Sequence, residues 1–425
     1  MYPDAMQIKA SSACTRLLAP ALALALAGGL AACSSGAPGA SSSASGPIKV
    51  FASGTYTLPG GGGLADVYSG VQAAVAAINA AGGINGHKIV VAKCDDDGNP
   101  STAIQCTERQ IADPSTVAEI GSSTAFGAEE VPYLEKAEMP VIGGNFGDVS
   151  GGQSKVIFPF NGGAPAAFIG LAEQLKAEGV TKASLIYPAD LGPGGAAART
   201  EFLYGAKIAH LKVGNIVNAP TTTTDFGPAV TQATAGGVNG VASFEPGAAE
   251  AQLIKTLRSD APQVSKLAII FTNITPTFVS SLGSQGNNLL VASLGNPYVT
   301  AGAPWVKLYQ QQLKKYAPGT PLGDLSLIGW TSAYWFAQIA KKLPRVTRSA
   351  VLNAFRHLTN YSLGGTYVNI TTTKSICATN CYGQPYMFDP YIVFTRLENG
   401  VLQPIHPGEA VNPYTGAALQ GAFPQ

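Results

Sequence analysis

Short apolar runs alternate with amphipathic stretches along most of this chain. PIKVFASG (47–54) is the first apolar run and ends at turn residues, the pattern of a short buried strand. In residues 64–81, Val67, Val71, Ala74, Val75 and Ile78 recur at helical spacing, which predicts a helix with one apolar stripe. Gly82 and Gly83 then supply a helix-end signal and Asn85-Gly86 a turn, before KIVVAKC (88–94) reads as a second strand. PSTAIQCTERQIA (100–112) predicts a helix with Pro100 in its first turn. The alternation continues with VAEIGSS, PVIGG, KASLIYP, NGVASFE, KLAIIFT and NLLVASL as strands. Between them GAEEVPYLEKAE, APAAFIGLAEQLKAEG, GGAAARTEFLYGAKIAHL and EAQLIKTLRS read as helices, and GWTSAYWFAQIAKKL and SAVLNAFRHL as late ones. Such βα units build parallel sheets with helices on both faces. There are too many of them for one sheet of ordinary size. The expected fold is α/β, with two doubly wound, Rossmann-like lobes.

In that architecture ligands bind beyond the carboxyl ends of the strands, where the loops gather. The loops that follow strands are therefore the informative ones: GTYTLPGGGG, DDDGN, GSSTAFG, GGNFGD, PADLGPGG, EPGAA and TNITPTF. They are rich in Gly, Ser, Thr and Asn, which offer backbone N–H groups and neutral hydrogen bonds. Several precede a helix whose N-terminal dipole favours a polar or anionic group.

The N-terminal segment changes the picture of where the protein works. Lys9 and Arg16 precede an Ala/Leu run, Leu17 to Leu30, too short for the roughly 20 apolar residues of a membrane span and fit for a signal peptide. Leu30, Ala31, Ala32 and Cys33 resemble the lipobox of bacterial lipoproteins, in which the cysteine carries lipid and becomes the mature N-terminus. The Ser/Gly/Ala tract of 34–46 reads as a flexible linker between that anchor and the folded body. The expected location is the outer face of a bacterial cell membrane.

Charged residues are only 12% of the chain and the net charge is +1, so nothing points to nucleic acid or a polybasic membrane surface. Export leaves four cysteines in the body, and their even number in an oxidising compartment predicts two local disulfides, Cys94–Cys106 and Cys377–Cys381. The four histidines, His87, His210, His357 and His406, are scattered and give no metal-type spacing with the cysteines; no metal is expected. DDDGNP places Asp95, Asp97 and Asn99 at the first EF-hand positions, but Pro100 and Cys106 occupy places that need Gly and Glu, so a solvated turn before a helix is the expectation. Gly60, Gly62 and Ala65 match a dinucleotide fingerprint in spacing, but the loop is too long for one. No GxSxG elbow and no Ser/His/acid set supports catalysis, and no cofactor is expected.

The segments GVQAAVAAINAAGGINGHKIVVAKCDDDGNPSTAIQC and IGSSTAFGAEEVPYLEKAEMPVIGG resemble the leucine/isoleucine/valine-binding family of periplasmic substrate-binding proteins, the type I periplasmic-binding fold. INAAGGINGHKI is the most specific stretch, since it joins helix end, glycine turn and next strand in the family's order. The resemblance implies lobes of 47–161 with 296–364 and of 162–295 with 365–425, joined by three crossovers near Phe160–Gly163, Leu294–Pro297 and Leu363–Tyr367. It also implies a small-molecule ligand between them, a transporter permease as partner, and a monomer. The family's carboxylate-binding Ser corresponds to Ser122, with Ser123 and Thr124 beside it; the next loop supplies Asn145, Phe146 and Gly147. In the second lobe the matching positions are Phe244 and Glu245 after one strand and Asn273 after the next, where the family has an acid for the ligand's ammonium. Tyr56 and Leu191 complete the expected set. Because that acid is missing and a buried ammonium without one is severely penalised, a free standard amino acid is not the expected ligand. Expected function is solute capture for an ABC importer of the branched-chain amino acid type; a ligand-sensing receptor module and a secreted enzyme are the alternatives.

Overall fold

The computed structural model describes residues 46–58, 63–295, 303–376 and 381–423. The expected signal peptide, lipidated Cys33, most of the linker, the Cys377 end of the second disulfide and much of the second crossover lie outside these residues.

The first sheet begins with β1 (Ile48–Gly54), from which the chain runs through α1 (Ala65–Ala80) to β2 (Ile89–Asp95), then α2 (Pro100–Ala112), β3 (Thr116–Ile120), β4 (Ser123–Thr124), α3 (Gly127–Lys136), β5 (Val141–Ile142), β6 (Asn145–Phe146) and β7 (Ile157–Phe158). The order is β6-β4-β1-β3-β5-β7 with β2 also on β1, and every pairing is parallel. The chain kinks after β3, breaking the predicted strand VAEIGSS, and again after β5, so that β4 pairs with β1 and β6, in the stretch expected as a loop, pairs with β4. Glycine permits the second kink, because Gly144 has φ of +111° and a Cβ there would lie 2.3 Å from the Ser122 carbonyl oxygen.

The second sheet takes β8 (Lys182–Tyr187), β9 (Lys212–Asn218), β10 (Gly240–Ser243), β11 (Lys266–Ile270) and β12 (Leu289–Ser293) in parallel, with α4 (Gly163–Ala177), α5 (Pro193–Ile208), α6 (Gly227–Thr234), α7 (Ala248–Asp260) and α8 (Pro276–Leu282) as connections. The chain then returns to the first sheet, where α9 (Pro304–Tyr316) and α10 (Asp324–Ala340) pack on α1, and α11 (Arg348–Phe355) packs on β3. It finally extends the second sheet with antiparallel β13 (Val393–Glu398) and β14 (Val401–Pro404), followed by a separate hairpin, β15 (Glu409–Asn412) and β16 (Ala417–Gln420). Two parallel-sheet lobes of α/β type are thus present, as the alternation predicted. The elements missed by the sequence pattern were β6, β7, β9, α6, α8, α9 and the four C-terminal strands, most of which are short, half-exposed or at sheet edges.

Large buried areas hold each lobe together. The α1 and α10 helices meet backbone to backbone: a Cβ on Gly329 would sit 1.8 Å from the Val67 carbonyl oxygen, and one on Gly70 2.0 Å from that of Ser326. Around this crossing Val67, Val71, Trp330, Trp335 and Phe336 are wholly buried. The chain passes between lobes three times, and the three passages touch. Phe160 of the first and Tyr367 of the third have ring centroids 4.6 Å apart, and Gly295 of the second lies so close to the Tyr367 ring that a Cβ would meet it at 2.8 Å. Asp324, the first residue of α10, accepts hydrogen bonds from Leu294 N (2.8 Å) and Gly295 N (2.9 Å), and burial lifts its carboxyl to about 6.

Candidate functional site

A cleft of about 400 Å³ opens at the carboxyl ends of the strands of both sheets. The first lobe contributes Thr55, Leu58, Leu64, Thr124, Ala125, Phe126 and Asn145, from the loops after β1, β3 and β5 and the first turn of α1. The second contributes Ala164, Phe168, Leu191, Pro193, Phe244, Ile270, Thr272 and Asn273. Its volume falls within the range of small-molecule sites.

Of the eleven expected ligand residues, the fold brings Thr124, Asn145, Gly147, Leu191, Phe244 and Asn273 to the cleft wall. Tyr56 is instead packed in the first lobe, 2% exposed, its ring 5.6 Å from Tyr68 and under the Lys93 ammonium at 5.0 Å. Ser122 is buried and hydrogen-bonds the Glu119 carboxyl, while Ser123 is wholly buried. Phe146 packs on Gly151, within 2.7 Å of where a Cβ would be. Glu245 is wholly buried and is not part of the cleft wall. The reason is register: the kink between β3 and β4 turns Ser122 toward Glu119 and brings Thr124, itself buried, to the cleft wall, and after β10 Phe244 and Pro246 face the cleft while Glu245 does not.

The residues that sequence reasoning missed fall into two kinds. Thr55, Leu58, Phe126, Pro193 and Thr272 lie in or beside loops already marked as informative. Leu64, at the N-cap of α1, and Ala164 and Phe168, in the first two turns of α4, read as helix packing; only the position of those helices across a strand end exposes them to the cleft. Phe168 and Phe244 form an edge-to-face pair at 5.0 Å in the second wall.

Buried carboxyls hold the cleft loops from behind. In the first lobe Asp96 is not solvated, as DDDGNP suggested, but wholly buried. It accepts from Thr55 Oγ1 (2.9 Å), whose oxygen in turn accepts from Ala125 N (3.2 Å), and burial raises its carboxyl to about 6. Asp95 accepts from the backbone N–H groups of Tyr56 and Thr57, both at 3.1 Å, and Asn99 caps α2 through Ser101 N and Thr102 N. Glu119 accepts from Gln110 at 2.6 Å, with burial lifting it to about 7. Burial and the neighbouring Glu119 lift Glu130 to about 8, and Thr107 donates to it at 3.1 Å. Behind these, Cys94 and Cys106 are joined by a disulfide with Cα atoms 5.7 Å apart.

The second lobe is braced differently. Asn273 donates to the Glu245 carbonyl (2.7 Å) and accepts from Gly247 N (3.2 Å), and Glu250 accepts from Ser243 and from Glu245 N. Both carboxyl oxygens of Glu245 have no hydrogen-bond partner among the described residues, and burial, with Glu250 and Asp190 nearby, pushes the group to about 9. Glu245 is therefore neutral at pH 7. Asp190, the one ionisable residue of the cleft wall among the described residues, is exposed and accepts hydrogen bonds from Thr221 N and Oγ1, the latter at 2.7 Å. Two polar atoms of the wall have no partner among the described residues: Asn145 Oδ1 from the first lobe and Thr272 Oγ1 from the second.

Residues 47–383 match the sequence profile of a family described as periplasmic binding protein. No curated protein matches the chain by sequence. Among solved structures, a substrate-binding periplasmic protein from Ralstonia solanacearum superposes with a TM-score of 0.70 at 19% identity, covering 84% of this chain and 99% of that one. A branched-chain amino acid ABC transporter protein from Thermus thermophilus with bound valine gives 0.70 at 15% identity, over 85% of this chain and 96% of that one. A solute-binding protein from R. palustris in complex with 4-hydroxybenzoate gives 0.68 at 19%, over 87% and 98%. At these identities the likeness is one of fold.

Proposed function

This chain belongs to the periplasmic binding proteins, type I, and from that premise we propose that it is a lipid-anchored solute receptor that delivers one small molecule to the permease of an ABC importer. Family members are extracytoplasmic solute-binding proteins, which agrees with the signal-like leader; the anchor would be lipid on Cys33, with 34–46 as its tether. The lobes 47–161 with 296–364 and 162–295 with 365–425 would hinge at the three touching passages. Solute settles on one wall, and contacts from the other wall then favour the closed state, a population shift that the permease reads.

The observation that carries this reading is the cleft at the carboxyl ends of both sheets, walled by side chains of both lobes. The solute is a small molecule other than a standard free amino acid: Asn273 stands where the family has an acid for the ligand's ammonium, and Glu245 is buried behind the wall, which leaves only the exposed Asp190 among the described carboxylates of the wall. Valine in the Thermus relative and 4-hydroxybenzoate in the R. palustris relative show that this fold receives chemically different small ligands.

Native mass spectrometry of the chain from residue 34 onward, screened against a broad metabolite library, tests the proposal. A 1:1 complex from which the compound is recovered unchanged supports it. Turnover of the compound, or no complex with any member, overturns it. The anchor has its own test: Cys33→Ala is expected to move the protein from the membrane fraction to the soluble one.

A further inference from the structure

Every residue of α4 from Gly163 to Leu175 is buried, and that run contains a single carboxyl, Glu173. The residue is 6% exposed, and neither of its carboxyl oxygens has a hydrogen-bond partner among the described residues. Asp96, Glu119, Glu130 and Glu250 are buried too, but each accepts from a neighbouring side chain, which offsets the loss of water. Glu173 has no such donor, and desolvation raises its carboxyl to about 8. A buried polar group without a partner marks a place where something is missing.

Glu173 lines a groove of about 320 Å³ between α4, the end of α5, β13 and the β15–β16 hairpin. A Cβ on Gly416, in the hairpin turn, would lie 3.5 Å from Glu173 Oε1, so the carboxyl points at the groove's hairpin side. Ala177, Ile208, Ala209, Phe394, Val411 and Ala418 supply apolar walls, and no residue of the groove belongs to the cleft. The groove's other titratable residues are the exposed Lys176 and His406, and Glu409, whose carboxyl accepts from Gln420. A carboxylate guest would accept one hydrogen bond from protonated Glu173 and leave its second oxygen unpaired. An ammonium or guanidinium instead donates to both oxygens and favours the ionised acid, whose proton passes to solvent. We infer that the groove is a second binding site, for a primary amine or guanidine on a short aliphatic chain whose cationic end pairs with Glu173. The groove is separate from the cleft, so the receptor reading stands whatever occupies it.

Titration calorimetry at pH 7 on the chain from residue 34 onward tests this, with butylamine, cadaverine and agmatine as probes and butanol and butyrate as matched controls. The best amine or guanidine is expected to bind about tenfold more tightly than either control. Its binding releases about one proton as Glu173 ionises, so the measured heat differs between phosphate and Tris buffers. Glu173→Gln keeps the neutral shape and is expected to melt as wild type does at pH 6, while weakening that probe about tenfold and abolishing the proton release. The rival partner is the exposed carboxylate of Asp190 in the cleft, and Asp190→Asn is expected to leave the probe's affinity unchanged. Binding that Asp190→Asn weakens and Glu173→Gln does not puts the amine in the cleft and overturns the second site. No binding of any amine or guanidine, tighter binding of butyrate, or binding without proton release overturns it as well.

Discussion

The two walls of the cleft are built on similar sheets but stiffened by opposite means. In the first lobe, the loops after β1 and β3 are tied to acceptors: Asp95 and Asp96 hold residues 55–57, Thr55 passes that support on to Ala125, and Glu119 and Glu130 hold the β3–β4 kink, with the Cys94–Cys106 disulfide behind them. In the second lobe, Asn273 and Glu250 tie down the backbone around Glu245, whose own carboxyl is left unpaired. The difference teaches which wall is the platform. A loop held at several points in the unliganded molecule binds without reordering, whereas the second wall, with the Glu245 carboxyl and the Thr272 hydroxyl unpaired against Asn145 Oδ1 in the first, has more to gain from closing over a guest.

If the first lobe is a rigid platform, its rigidity must fail where its helices touch. Gly329→Val drives a side chain into the Val67 carbonyl and is expected to cost about 4 kcal/mol, measured by denaturant unfolding followed by circular dichroism. The same substitution at Gly46, an exposed glycine with open space around it and no left-handed backbone, serves as the mild control.

The unpaired carboxyl sharpens the contrast through pH. Burial raises Glu245 to about 9, Glu201, with Asp148 nearby, to about 9, and Glu173 to about 8. Above pH 4.5 the unfolded chain sheds these protons while the folded chain keeps them, so stability is present at low pH and is lost as pH rises toward the folded values. Melting temperature is therefore expected to decline steadily between about pH 5 and 9. Glu245→Gln keeps the neutral shape and is expected to make that slope shallower by the share of one of the three groups. An unchanged slope in this variant means that the second wall is not where the protonated group sits.

Smaller effects separate the walls directly. Thr55→Val removes the hydrogen bonds to Asp96 and Ala125 and is expected to lower the stability of the free protein by about 1–2 kcal/mol. Thr272→Val, in the opposite wall, removes no bond seen among the described residues and is expected to shift stability by less than about 0.5 kcal/mol. If both substitutions destabilise the free protein equally, the platform distinction is lost.

The sequence carried the fold because periodicity survives at long range. The α2 helix starts at Pro100 and ends at Ala112, where composition placed it, and the Asn99 cap accounts for its start. The site was less legible because it depends on which way single residues turn at strand ends. Ser122 and Thr124 are two apart and in one extended strand would share a face, but the chain kinks between β3 and β4 and separates them. Tyr56 looked like a loop aromatic and is core, since Asp95 draws its backbone back onto the sheet. Phe168 read as a packing residue because nothing local shows that the α4 helix begins at the rim of a cleft. The β13–β16 strands escaped notice because each is only four to six residues and antiparallel.

The central claim is that two lobes close over one small guest. Small-angle X-ray scattering of the chain from residue 34 onward, with and without its tightest ligand, tests it most directly. The account expects the radius of gyration to fall on saturation, and expects Thr272→Val to need more ligand for the same contraction. Stoichiometric binding that leaves the scattering curve unchanged would contradict it.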